Sequence, residues 1–282
     1  MTPKSDSATS ASYSTAVEPL PIAHHIDVVA AEGAKFAAAG RRADFDAAVP
    51  SCPGWNVRDL VRHLGEIHLW AAGNVAQRPG SRLDVEEREE LARQWPDLAE
   101  FWPDDADLVD WYQRTNDNLV AVLRSAPADV AAETFLPAPS PLAMWARRQA
   151  HETSIHRFDA EIASGTATSY DPRLAADGID ELLYGFYRAV ERSRKRPIQV
   201  NGEKLIHVHA DDTDNDWYMH LSPNSISWAP AGGEADLTIT GTASDLYKSL
   251  WNRGNDSSIA TTGERRLLEA WHEHTGVRWY LN

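Results

Sequence analysis

The chain has 282 residues, 43% of them hydrophobic with 11 tryptophans, a net charge of −15 and a single cysteine. That length is long for one domain and comfortable for two, and no apolar run approaches the roughly 20 residues of a membrane-spanning helix. The acidic balance disfavours nucleic acid and anionic membrane as partners, and Cys52 alone can form no intrachain disulfide, which suits a reducing cytoplasm.

Residues 1–22 open with the Ser/Thr/Ala-rich run MTPKSDSATSASYSTAVEPL, which lacks an apolar signal-peptide core and reads as a disordered tail. Four helical patterns then fill residues 23–165. The first runs from about His25 to Asp46, with Ile26, Val29, Gly33, Phe36 and Ala37 on one stripe. The second follows the turn PSCPGW: Asn56 is placed to cap it, Asp59 stands at the third helical position, and Val57, Leu60, Leu64, Ile67, Ala71 and Val75 form its apolar face. The acidic stretch 84–105 has room for a short helix. The third long pattern spans about Asp105 to Ser125 through Leu108, Trp111, Thr115, Leu119 and Val122, and the fourth about Leu142 to Ser164. Four long helices without a convincing strand predict a four-helix bundle.

After the linker SGTATSYDP (164–172) the character changes. A helix is predicted from about Pro172 to Arg194, then strands at LIHVHA (205–210), DWYMHLS (216–222), SISWAP (225–230) and ADLTITG (235–241). Thr242 and Asp245 begin another helix, and a last one covers about Glu264 to His274. Residues 172–282 therefore read as a small α+β domain with an antiparallel sheet. A hairpin centred near Asp214 would set His207 opposite His220, with Ile206, Val208, Trp217, Met219 and Leu221 on the core face and the histidines on a polar one. DDTDND (211–216) alternates acids like a calcium loop, but Trp217 and Pro223 stand where that loop needs Gly and Glu, so it reads as a turn.

The fourth helix carries the chemistry. Glu152 and His156 are one turn plus about 40° apart and project side by side, whereas His151 and His156 differ by about 140° and cannot share a metal. The face of Glu152 also bears Trp145, Arg148, Gln149, Ile155, Asp159 and Ala163, while Arg147, Ser154, Arg157 and Glu161 lie opposite. Carboxylates on an inward stripe must be neutralised, either by an ion pair with Arg148 or by a metal. His63, on the edge of the second helix's apolar stripe, is the candidate third ligand. Two histidines and a glutamate would make a zinc-type site with an open fourth position, and Asp159, one turn beyond, could orient His156. Cys52 precedes a helix N-terminus but has no assigned base and reads as structural.

VPSCPGWNVRDLVRHLGEIHLW (49–70) followed by WARRQAHETSIHRFDAEIASG (145–165) resembles the mycothiol-dependent maleylpyruvate isomerase family of the DinB-like superfamily, and the likeness spans roughly 25–282. The resemblance implies a DinB-like four-helix bundle followed by a sterol-carrier-like α+β domain. It further implies a divalent metal, usually zinc, on His63, Glu152 and His156, with mycothiol as the thiol cofactor. In such an isomerase the thiolate adds to the double bond of maleylpyruvate, and rotation and loss of the thiol give fumarylpyruvate. Other members appear as thiol transferases acting on small electrophiles. The family also uses an arginine from the small domain, for which Arg253, Arg265 and Arg266 are all admissible here, with Arg253 named first. The rival reading is a binding protein whose small domain holds an apolar ligand among Trp217, Trp228, Trp251, Trp271 and Trp279. The oligomeric state is not readable.

Overall fold

A computed structural model of the chain describes residues 17–76, 95, 98, 101–186, 200–223, 225–229 and 232–274. The tail before residue 17, the short helix expected in the acidic stretch, the last turns of the helix expected to reach Arg194, and Trp279 lie outside the described residues. Val17 and Leu20 are buried. The first helix, α1, spans Ile22–Arg42 and ends four residues earlier than Asp46. There the Asp44 side chain accepts a hydrogen bond from the Asp46 amide, a local turn that competes with the helix.

The turn before α2 (Val57–Val75) follows from its residues. The Trp55 amide donates to the Cys52 carbonyl, Pro53 supplies the first corner, and Gly54 takes the second at φ +89°, a left-handed conformation suited to glycine. The Val49 amide donates to the Trp55 carbonyl and closes the loop. Asn56 and Asp59 then form the expected capping box, each side chain accepting from the other's amide. Helices α3 (Asp105–Ser125) and α4 (Pro141–Ala163) match their predicted spans to within a residue.

These four helices pack on one another, α1 and α2 each touching both α3 and α4. Helix α4 departs from the wheel: it has no solvent face over most of its length, and Ser154, Arg157 and Glu161, expected opposite the core, are buried too. One side of α4 meets α1 and α2, while Ile155 and Phe158 join the apolar core of the C-terminal region. The buried Arg157 is compensated by two carboxylates, donating to Glu32 of α1 at 2.7 Å and to Glu161 at 2.7 Å.

In the C-terminal region α5 (Pro172–Asp180) is capped by Asp171 and continues into a π turn, Glu181–Phe186. Strands β1 (Lys204–Ala210), β2 (Asn215–Ser222), β3 (Ser225–Ala229) and β4 (Leu237–Gly241) follow. Helix α6 (Ala243–Leu250), β5 (Ala260–Gly263) and α7 (Arg266–His274) complete the seven helices and one sheet of the described residues.

Three corrections concern that sheet. Its order is β3-β2-β1-β4-β5, and β4 runs parallel to β1, so the sheet is mixed rather than antiparallel. Strand propensity marks where strands are, whereas pairing partners are long-range choices that no local pattern encodes. Strand β5 was not anticipated, because four mostly exposed residues, ATTG, carry no alternation. The hairpin register also shifts: His207 faces Tyr218, and His220 faces Leu205. A slip of two residues keeps every side chain on its face, so Ile206, Val208, Trp217, Met219 and Leu221 are buried as expected.

The close approach of α2 and α3 is set at Gly65, where an added Cβ would come within 2.2 Å of the ring of fully buried Trp111. Alanine would improve helix propensity by about 1 kcal/mol, but displacing a packed indole costs about 1–3 kcal/mol. Gly65→Ala is therefore expected to lower the urea unfolding midpoint, and an unchanged or raised midpoint would contradict this packing.

Candidate metal centre between two facing helices

His63 of α2 and Glu152 and His156 of α4 meet in the interior, none more than 6% exposed. Glu152 Oε1 lies 3.4 Å from His63 Nε2 and 3.3 Å from His156 Nε2, longer than good hydrogen bonds. The two imidazole centroids are 5.1 Å apart with planes at 81°. Donor atoms around a tetrahedral zinc ion with bonds of about 2.0–2.1 Å stand about 3.4 Å apart, so the spacing and the donor set both fit a divalent cation.

The remaining atoms of this trio are held from behind. Glu152 Oε2 accepts from Arg148 at 2.8 Å, and the other arm of Arg148 pairs with Glu181 in the π turn. Burial alone would raise the Glu152 pKa, but the close His156 and His63 imidazoles and the charge of Arg148 outweigh it and keep the carboxyl well below its ordinary range. The ion pair and the histidine cluster, read as alternatives from sequence, thus coexist on opposite oxygens of one carboxylate.

Behind His156, Asp159 Oδ2 lies 2.8 Å from Nδ1, which leaves Nε2 facing the centre. Asp159 also receives Ser51 Oγ at 2.5 Å, Cys52 Sγ at 3.4 Å and two arms of Arg253 at 3.1 Å each. Burial opposes charge on this carboxylate as well, but Arg253 and His156 drive its pKa below the usual range. For His156, burial is outweighed by Asp159, Cys52 and Glu152, so the local field favours a positive charge at that position.

Of the three small-region arginines, Arg253 is buried and reaches Asp159, whereas Arg265 and Arg266 are exposed. Trp55 stands over both imidazoles, with its centroid 4.8 Å from His63 and 6.4 Å from His156. His68 lies one layer deeper, its Nε2 3.0 Å from Thr153 Oγ1, and burial pushes its pKa down to about 3, so it is neutral.

Two family models match: the mycothiol maleylpyruvate isomerase N-terminal domain over residues 27–161 and the C-terminal domain of the same family over residues 173–270. The chain belongs to the mycothiol maleylpyruvate isomerase family. A crystal structure of the mycothiol-dependent maleylpyruvate isomerase is similar at TM-score 0.59 and 13% identity, covering 87% of this chain and 95% of that one. A histidine-to-alanine mutant of that isomerase aligns at TM-score 0.58 and 12% identity with the same coverage. At such identities the likeness speaks for the fold. No curated protein sequence matches the chain.

Within this isomerase-family fold, sequence reasoning passed over Ser51, Cys52, Trp55, Arg148 as a tether of the trio, and Glu181. The Pro-Gly corner was the available signal for the first three, since a tight turn before α2 must deliver its residues near His63. Cys52, read as structural, belongs to the buried surroundings of His156. His151 points elsewhere: it lies 2.7 Å from Asp177 and 3.1 Å from Tyr247, and His25 reaches the same Asp177 oxygen at 3.0 Å. That group is metal-capable by residue type, but Arg147, 3.0 Å from Asp177, already supplies its cation.

Asp177 joins α5 to α1 and α4. Burial would raise its pKa, but Arg147, His151 and His25 hold it well below the usual carboxylate range. A carboxyl whose folded pKa lies under its unfolded value of about 3.9 stabilises the fold above that pH, and the contribution is lost as pH falls below it. Asp177→Asn is expected to cost about 3–5 kcal/mol in urea unfolding at pH 7. Its deficit relative to wild type should shrink between pH 5 and pH 3; a deficit constant with pH would contradict this role.

Proposed function

We propose that this isomerase-family member is a metal- and mycothiol-dependent enzyme that converts a small electrophilic cis-alkene of the maleylpyruvate type to its trans isomer. The observation that carries the reading is the convergence of three buried donors: His63 Nε2 and His156 Nε2 each lie at a tetrahedral edge distance from Glu152 Oε1, and all three atoms fall within 4.8 Å of one another. His63, Glu152 and His156 would hold the cation, zinc being the best match to two imidazoles and a carboxylate. When bound, the cation supplies a Lewis acid that lowers the pKa of the mycothiol thiol, so that a sulfur nucleophile is available at neutral pH.

The protein's own residues prepare that site. Arg148 takes one oxygen of Glu152 and turns the other toward the histidines. Asp159 accepts a hydrogen bond from His156 Nδ1–H, an arrangement that leaves the lone pair on Nε2. Arg253 neutralises Asp159 with two parallel contacts; its third nitrogen donates to the Trp251 carbonyl, so it acts by positioning Asp159. Trp55 packs against both imidazoles and would limit the access of water to the site.

The four packed helices, residues 23–165, are read as a DinB-like four-helix bundle, and residues 172–282 as a sterol-carrier-like domain. A cytoplasmic setting follows from a small-thiol cofactor and a single free cysteine, and no described helix is long and apolar enough to cross a membrane. Transfer of the thiol to an electrophile would share the addition step. The binding-protein reading has less support, because Trp217, Trp251 and Trp271 are packed in the core and Trp228 packs at a tilt against Tyr184.

Elemental analysis of the purified protein is expected to find about one zinc per chain, and His156→Ala to lose it. Asp159→Asn and Arg253→Lys should each retain the fold while weakening metal affinity or turnover by about 10–100-fold. Metal-loaded protein that turns over neither maleylpyruvate nor a panel of chlorinated or epoxide electrophiles with mycothiol would sink the catalytic reading.

A further inference from the structure

A second group of metal-capable side chains stands on the outer face of the C-terminal sheet. His207 and His209 are two residues apart on β1, so both rings project from the same side. Asp216, the register partner of His209, presents its carboxylate on that side from β2. Asp216 Oδ1 lies 2.6 Å from His207 Nε2 and 2.9 Å from His209 Nδ1, and one ligand atom from each residue falls within 4.8 Å of the others. His207 is stacked on Tyr218 at 4.5 Å with the planes 2° apart, which fixes the ring.

We propose that His207, His209 and Asp216 form a second site, for a first-row divalent cation such as Ni²⁺, Co²⁺ or Zn²⁺. Adjacent donors of an octahedral ion with bonds of about 2.1 Å stand about 3.0 Å apart, so the spacings from Asp216 Oδ1 to the two imidazole nitrogens, 2.6 and 2.9 Å, are already close to those of a chelated ion. Two hydrogen-bonded strands hold them in place before any ion arrives, and that lowers the ordering cost of binding. The side chains of His207, His209 and Asp216 are 21%, 28% and 41% exposed, so water can complete the coordination.

Electrostatics separate this trio from the buried His25–His151–Asp177 group, where Arg147 already provides the positive charge. The ion pairs of Asp216 among the described residues are with these two imidazoles. Asp211 adds a further carboxylate 3.6 Å from His209 Nε2. Among the described residues the surroundings are thus negative, accessible and without a built-in cation.

The test uses the full-length protein with its metal content measured first, followed by Ni²⁺ titration with dialysis and elemental analysis. Wild type is expected to take up one more equivalent of Ni²⁺ than His209→Ala, and Asp216→Asn to bind that equivalent at least tenfold more weakly. Because the readout is a difference between variants, it reports this site whatever the buried centre holds. Ni²⁺ should also raise the thermal midpoint of wild type but not of His209→Ala, with equal midpoints in the absence of metal. Equal Ni²⁺ uptake by wild type and both variants would overturn the proposal.

Discussion

The site depends on one buried carboxylate with two different neighbours. Glu152 is almost fully withdrawn from water, and an isolated charge there would be untenable. Arg148 neutralises one oxygen, and the other faces two imidazoles. Without Arg148 the carboxylate could rotate or protonate; without the histidines the second oxygen would need another donor. Arg148 is fixed in turn by Glu181 and by the rings of Phe186 and Trp251, 5.1 and 5.4 Å from its guanidinium carbon. The orientation of Glu152 is therefore set from the C-terminal region, although its helix belongs to the N-terminal one.

The same logic recurs one turn along. His156 is oriented by Asp159, and Asp159 is held by Arg253 from the loop after α6. Charges alternate outward in both series, so Glu152, Arg148 and Asp159 each stand between two opposing partners, the condition under which low-dielectric burial is tolerable. Helix α4 carries both series because it lies between the two regions. This explains a helix that is polar in composition yet almost without exposed surface.

The legible parts of the fold were those governed by short-range rules. The caps of α2, the spans of α3 and α4, the two-residue alternation of β1 and β2, and the juxtaposition of Glu152 with His156 all follow from local geometry. Asp159 beside His156 was equally readable, since three residues along a helix are neighbours. The buried opposite face of α4 was not, because a wheel ranks positions on one helix and cannot see that two different regions pack against it. Strand β5 and the parallel pairing of β4 escaped for a related reason: sheet order depends on which edges remain free after earlier strands pair.

Residue types and spacings determined by themselves that this chain would bring a glutamate and a histidine to one helical face, turn sharply at Pro53–Gly54, and end in an α+β region. The tertiary structure decided which distant groups complete them: His63 across the helix interface, Glu181 behind Arg148, Arg253 behind Asp159, and Asp177 for His151 instead of the centre. The division has a physical cause. Backbone periodicity acts over a turn or two and is written locally, whereas compensation of buried charge acts through space and is settled when the helices and sheet have packed.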